Sequence, residues 1–308
     1  MEKKNKPLVS IMIPTYNRPK LFEQTLQSAL NQDYENFEVI VNDNSSNDDT
    51  EQLIQKYLAD PRLRYYRNHE AKTKEENFIP FEQQAKGEYL QWCMDDDMLA
   101  PGKLSKMVQC FAEHPEVTLI TSQRGVVNGE GMLLKQWKAP VEIKAEYEIF
   151  AGDDVALTTL CNATNFIGEP SAVLFRRRDL THHYWRAESR GYLAISDIAM
   201  WLELLERGDI AIFRDPLSYF RRHEGQEGAQ GDVILLSRLE WIRLNRDYYQ
   251  RQAFPYTRDN YKSFLEHIVA DAESCQQLKG QATKEMWHQY EAELQAVKEE
   301  LDAVGECV

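Results

Sequence analysis

Apolar and polar positions along the first 114 residues follow two rhythms in turn. LVSIMIP (8–14) is a continuous, β-branched apolar run closed by proline, which predicts a buried strand. From Pro19 the spacing changes: Leu21, Phe22, Thr25, Leu26, Ala29 and Leu30 recur at helical intervals as far as Asn31. FEVIVND (37–43) predicts a second strand, and the cap-rich NSSNDDT leads into a helix over 50–58. RLRYY (62–66) predicts a third strand, 74–86 a third helix, EYLQWCM (88–94) a fourth strand, and Pro101 to about His114 a further helix. This β-α alternation predicts an α/β fold: a mostly parallel, Rossmann-like central sheet with helices on both faces.

The rhythm is looser further on. VTLITSQRGVV (117–127) and SAVLFRR (171–177) read as strands, while about 130 to 165 shows no order. DIAMWLELLERGD (197–209) predicts an amphipathic helix stopped by Gly208. IAIFRDPLSYFRRHEG (210–225) reads as a strand, a turn at Asp215-Pro216 and a second strand. Beyond Gly231 the pattern is helical, over 233–252, 257–277 and 282–304. In the last of these, Trp287, Tyr290, Leu294, Val297, Leu301, Val304 and Val308 form a heptad seam. Its surroundings are acidic: over 284–302, two lysines against six carboxylates give 2 − 6 = −4. The acidic flanks disfavour a parallel copy, so the seam predicts intrachain packing or association such as a homodimer, and no catalytic group.

Composition narrows the function. The 308 residues are 43% hydrophobic, enough for a packed core, and carry a formal charge of −14. Such a surface repels phosphate backbones and argues against a nucleic-acid partner. Cysteines 93, 110, 161, 275 and 307 include no CxxC pair, which fits a reducing compartment and argues against disulfides or a zinc site. The apolar run after MEKKNK is too short for a signal peptide, and nothing approaches the ~18–20 apolar residues of a membrane span. The expectation is a cytoplasmic protein without a transmembrane segment.

Candidate chemistry sits where the strands end. In doubly wound sheets ligands bind outside the carboxyl ends of the strands. Thr15-Tyr16-Asn17, Asp43 and Asp95-Asp96-Asp97 all fall there. An acidic triplet is ordinarily a solvated turn; its place at a strand end gives it a second reading. On an extended stretch Asp95 and Asp97 would point together and Asp96 away. Asp43 also suits an Asx-turn, and Arg67 and Lys72 lie in the region where phosphates would approach. No GxGxxG, GxxxxGK[ST] or GxSxG is present, which argues against dinucleotide dehydrogenases, P-loop NTPases and α/β-hydrolases.

The stretch VSIMIPTYNRPKLFEQTLQSALNQDYENFEVIVNDNSSNDDT and the element EYLQWCMDDDML closely resemble family 2 glycosyltransferases of the A-type fold. So do GEPSAVLFRR (168–177), SDIAMWLELLERGD and PLSYFRRHEGQ, in the same order. The resemblance covers roughly 8–225 and implies inverting sugar transfer from a nucleotide-sugar donor, most simply a UDP-sugar, with Mn²⁺ or Mg²⁺ as cofactor. It is the chemistry of bacterial glycan biosynthesis, with a glycan, lipid-linked or protein acceptor. The resemblance implies that Pro14, Thr15, Tyr16, Asp43, Asp95 and Asp96 hold the nucleotide, and that Asp97 and His223 bind the metal. Asp197 would be the general base, and Glu169 and Ser171 would line the acceptor and donor-sugar side. The family pattern has Glu-Asp where this chain has Ser196-Asp197. Arg221 and Arg222 would face phosphate or solvent, and His182-His183 would be surface residues. The implied organisation is a transferase domain over 1–225, with a nucleotide-sugar half to about 115 and an acceptor-side half over about 116–225. A helical region over 226–308 follows. Two alternatives remain: a sugar-phosphate nucleotidyltransferase, which would need a glycine-rich loop in place of PTYNRP, and a degenerate glycan-binding or scaffold protein.

Overall fold

The computed structural model describes residues 6–180, 191–223 and 231–306. His182, His183, Cys307 and Val308 lie outside them. Strands β1 (Val9–Thr15), β2 (Phe37–Asp43), β3 (Leu63–Arg67) and β4 (Tyr89–Trp92) form the first half of one sheet. Helices α1 (Pro19–Leu30), α2 (Asp49–Ile54), α3 (Lys74–Phe78) and α4 (Phe81–Gln84) connect them. Next come β5 (Met98–Leu99), α5 (Lys103–Glu113), β6 (Val117–Val127), β7 (Leu133–Trp137), β8 (Tyr147–Phe150), α6 (Gly152–Cys161) and β9 (Leu174–Arg176). The order ends with α7 (Ser196–Leu205), β10 (Asp209–Arg221), α8 (Gly231–Arg251), α9 (Arg258–Cys275) and α10 (Lys284–Glu306).

Among the described residues the sheet has ten strands in the order β3-β2-β1-β4-β9-β6-β10-β5, with β7 added on β6 and β8 on β10. β1 pairs in parallel with β2 and β4, β2 with β3, and β6 with β10. β9 is antiparallel to both β4 and β6, and β5, β7 and β8 are antiparallel to their partners. The sheet is therefore mixed, and the expectation of a mostly parallel one holds for its first half. The α/β rhythm that signals parallel crossovers stops at β4, and β9, within the strand expected over 171–177, enters antiparallel.

Three local departures have plain causes. The helix expected over 74–86 is two short ones, because Pro80 interrupts it; a Thr73–Glu76 capping box starts the first. The turn expected at Asp215-Pro216 is a register shift within the continuous β10, between Phe213 and Ser218 against β6. Proline cannot donate to the ladder and sits at such irregularities. The strand expected over 171–177 starts later, after a 3₁₀ turn at Pro170–Ala172.

Alternation along β1 feeds two cores. Val9, Ile11 and Ile13 pack with Phe22 and Leu26 of α1 and Leu104 of α5 on one face. Met12 joins Trp92, Trp201 and the C-terminal helices on the other. That second cluster takes in Trp287, Tyr290, Leu294 and Val297, so the heptad seam is used within the chain. Arg246 of α8 pairs with Glu293 and Glu300, and Tyr261 of α9 donates to Glu300 at 2.7 Å, which accounts for part of the acidic flank. Trp287 is 3% exposed. Trp287→Ala is expected to cost about 3–5 kcal/mol, read by urea unfolding, because so large a void cannot collapse fully.

Candidate active site

β1 lies between β2 and β4, so the chain turns one way to β2 and β3 and then the other way to β4. At this switch the segments leaving β1 and β4 meet. Asp95 is held from the β1 side: its carboxylate accepts from the Thr15 hydroxyl at 3.0 Å, the Tyr16 amide at 3.2 Å and Arg18 at 3.1 Å. Pro14 and Thr15 are buried, whereas the Tyr16 ring is 53% exposed at the rim and is not core packing. Asn17 takes a φ of 54°, and its amide donates to Ser45 while its side-chain oxygen accepts from the Ser46 amide. The β1 loop is thereby tied to the loop after β2.

The triplet is neither extended nor solvated. Asp95 and Asp96 lie in a turn, and the Asp97 amide donates to the Met94 carbonyl at 3.0 Å. Alternation therefore does not apply: Asp96 shares Arg18 with Asp95, at 3.3 Å, and meets His223 Nε2 at 3.0 Å. Asp97 is 2% exposed and accepts from the Arg221 amide at 3.2 Å and from the Ser171 hydroxyl. Burial, the adjacent Asp96 and then Glu169 hold the Asp97 carboxyl well above the usual range, against those two donors. Burial and Asp96 likewise raise Asp95. His223 thus meets the triplet at Asp96.

Arg221 does not face solvent. It is buried and donates to the carbonyls of Asp96, Asn128 and Gly129 and to the Gln24 side chain, fastening the triplet to α1 and the end of β6. Arg222 is exposed. Arg67 pairs with Asp43 at 2.6 Å and donates to the Ser45 and Asn47 carbonyls, so it staples a loop. Asp43 is fully buried and also accepts from the Ser45 amide, closing an Asx-turn, and from Tyr65. Lys72 is exposed.

The second group of carboxylates comes from the other half of the sheet. Asp197 stands in the first turn of α7, with its carboxylate accepting from the Ile198 amide at 2.9 Å and facing Asn165 Nδ2 at 3.4 Å. Asn165 also accepts from the Gly168 amide, and the Trp201 indole donates to the Gly168 carbonyl at 3.0 Å. Gly168 has a φ of +128°, and an added Cβ would lie 2.7 Å from Arg124 Nη1 and 2.9 Å from Ala172 Cβ, so only glycine fits. This turn delivers Glu169, which pairs with Arg124 at 3.2 Å, and Ser171, whose Oγ accepts from the Met94 amide at 3.0 Å. Burial, with Glu169 adding to it, pushes Asp197 up to about 6, while the Ile198 amide and Lys74 of α3 oppose the shift. Glu169 acts on both Asp97 and Asp197. The turn over 165–171 therefore joins the two groups: Asn165 bonds Asp197 and the Gly168 amide, and Ser171 bonds the Met94 amide at the β4 end.

Residues 10–181, more than half of the chain, match the family described as glycosyl transferase family 2. The chain belongs to this family. It is 28% identical over 223 residues to the UDP-Glc:alpha-D-GlcNAc-diphosphoundecaprenol beta-1,3-glucosyltransferase WfaP of Escherichia coli, covering 72% of this chain and 80% of that protein. Among solved structures, S. aureus TarS 1-349 superposes with a TM-score of 0.64 at 18% identity over 96% of this chain and 82% of that one. The same TarS fragment has been solved with UDP and with UDP-GlcNAc. The mannosyltransferase PcManGT of Pyrobaculum calidifontis, solved with GDP-Man and Mn²⁺, gives a TM-score of 0.51 at 17% identity, over 97% of this chain and 88% of that one. These structural likenesses show a shared fold. Two other curated relatives are matched over only 30% and 34% of their own length.

Several residues that build this family 2 crevice had no signal in the sequence. Arg18 lies inside PTYNRP yet reads as one more loop cation. Lys103, two residues after Pro101, is fully buried, donates to the Ala172 carbonyl at 2.7 Å behind Ser171, and is drawn down to about 7 by burial. Lys74 and Asn165 sit on segments whose approach to Asp197 only the tertiary fold brings about. Among the described residues no helix is long and apolar enough to cross a membrane.

Proposed function

We propose that this family 2 glycosyltransferase moves a sugar from a nucleoside-diphosphate donor, a UDP-sugar first, to a hydroxyl acceptor with inversion, using a divalent metal and Asp197 as general base. The observation that carries this reading is the turn over 165–171, which bonds the end of β4 through Ser171 and the start of α7 through Asn165 and so brings Asp97 and Asp197 to one side of the sheet's edge. The donor half over 1–115 and the acceptor-side half over 116–225 would then face each other across it, with 226–308 as bracing helices. TarS with UDP and UDP-GlcNAc supports the choice of base. WfaP is named for a diphosphoundecaprenol-linked acceptor, which favours a lipid-linked glycan over the protein and free-glycan alternatives.

The Tyr16 ring is free to cover a base, with Pro14, Thr15 and Asp43 forming the wall beneath it. Asp95 and Asp96, fixed through Arg18, shape the ribose and diphosphate end. The residues present suit a hard divalent ion: buried carboxylates whose charge is disfavoured, and an imidazole beside them. Among the described residues no three His, Cys, Asp or Glu side chains gather into a cage. Asp97 and His223 would hold it, and when bound the ion supplies positive charge to the leaving diphosphate. Asp197 takes the proton from the acceptor hydroxyl as its oxygen attacks the anomeric carbon and the bond to the diphosphate breaks. With Asp197 as the base, a single displacement at the anomeric carbon would invert the centre.

A base held near pKa 6 must be ionised to work, so turnover is expected to rise with pH through about 6 and then level. The test is a donor screen with nucleotide release as readout, with and without Mn²⁺, across pH 5–8. Release of UDP from a UDP-sugar, lost with EDTA and falling below pH 6, is expected. Release unaffected by EDTA would remove the metal from the reading, and no release from any nucleotide sugar would favour a glycan-binding or scaffold role.

A further inference from the structure

We infer that Glu240, on the first of the C-terminal helices, is a positioning residue that fixes the backbone carrying Asp197. The inference rests on Asp197 being the general base. Glu240 is 3% exposed, and its two carboxylate oxygens accept from three consecutive backbone amides: Leu193 at 2.7 Å, Ala194 at 2.8 Å and Ile195 at 3.0 Å. Ser196 then opens α7, and Asp197 follows. A buried carboxylate persists only where its lone pairs are met, and three amides converging on one anion form a preorganised nest. One helical turn later, Arg243 donates to the Gly191 carbonyl and lies 4.3 Å from the Tyr192 ring centroid. One face of α8 thus holds residues 191–195 in a continuous grip.

α7 needs such a brace. Its N-cap, Ile195, offers no side-chain cap, and the Asp197 carboxylate bonds its neighbour Ile198 instead of turning back to cap the helix. Glu240 supplies the anion at this helix start from outside, leaving Asp197 to project into the crevice. It also leaves Asp197 among the groups that set its proton affinity, Glu169 and Lys74. The C-terminal region then has a part in catalysis without touching substrate. α10 braces α8 in turn, through Arg246 with Glu293 and Glu300.

The test compares full-length wild type, Glu240→Gln, Arg243→Gln and Asp197→Asn by UDP calorimetry, by UDP release from UDP-glucose and UDP-GlcNAc with Mn²⁺, and by amide hydrogen exchange. Glu240→Gln keeps the shape but turns one acceptor into a donor facing amide hydrogens. It is expected to lower kcat about 10–100-fold, as small misplacements of a catalytic group do, with donor KM and UDP affinity within about twofold. Exchange at 193–195 is expected to speed at least about tenfold, a readout that needs no donor. Arg243→Gln, at an exposed residue, should move kcat the same way by less, and decides the matter should Glu240→Gln not fold. Wild-type kcat or unchanged exchange in folded variants would overturn the inference, as would a loss of donor affinity matching the loss of rate. If Asp197→Asn turns over normally, the base assignment itself fails; if Asp197→Asn is inactive and the clamp variants are not, only the role of Glu240 fails.

Discussion

Asp97→Ala is expected to reduce transfer by about 10³-fold or more and to remove metal-dependent UDP binding while the protein stays folded. The side chain lost is a buried carboxyl whose charge is already disfavoured by burial, Asp96 and Glu169, so the fold does not depend on that charge. What disappears is the one triplet carboxylate that Arg18 does not engage in the contacts above, poised between the Arg221 amide and the Ser171 hydroxyl. Calorimetric titration of UDP with and without Mn²⁺, beside circular dichroism, checks it. A folded Asp97→Ala protein with wild-type activity would end the assignment of this crevice end to the donor diphosphate.

Asp197→Asn is expected to keep donor affinity and lose about 10²–10⁴-fold in turnover, the usual cost of a missing general base. The amide fills the same space and can still accept from the Ile198 amide, so the start of α7 keeps its shape. The rise in rate through pH 6 should vanish with it, because the group titrating there is gone. Loss of donor affinity with turnover retained would make Asp197 a binding residue.

How much was legible follows from where each signal lives. β1 to β4 were readable because buried strands and amphipathic helices carry different periods, and the same reading puts Asp43 and the triplet at strand ends, where they stand. The orientation of the triplet was not readable: alternation presumes an extended chain, and the Asp97 amide bonding back to Met94 makes a turn. Arg67 and Arg221 show the same limit, since a cation's role depends on which carbonyls and carboxylates the fold brings to it. β9 was placed, within the strand expected over 171–177, but its antiparallel pairing was missed because three residues carry no mark of direction. The heptad seam was legible as a stripe, but only packing shows that the chain's own α8 and α9 cover it. Glu240 is the extreme case: one acid among many in a helical stretch, with nothing local to mark its three amide partners.

The most direct test is the stereochemistry of the transferred sugar, since opposed ends of one crevice imply one displacement. Proton NMR of the sugar released from an α-linked UDP-sugar during the first turnovers, before mutarotation, reports it. The β-anomer, absent with Asp197→Asn, is the predicted result; the α-anomer would require a second displacement and would contradict the account.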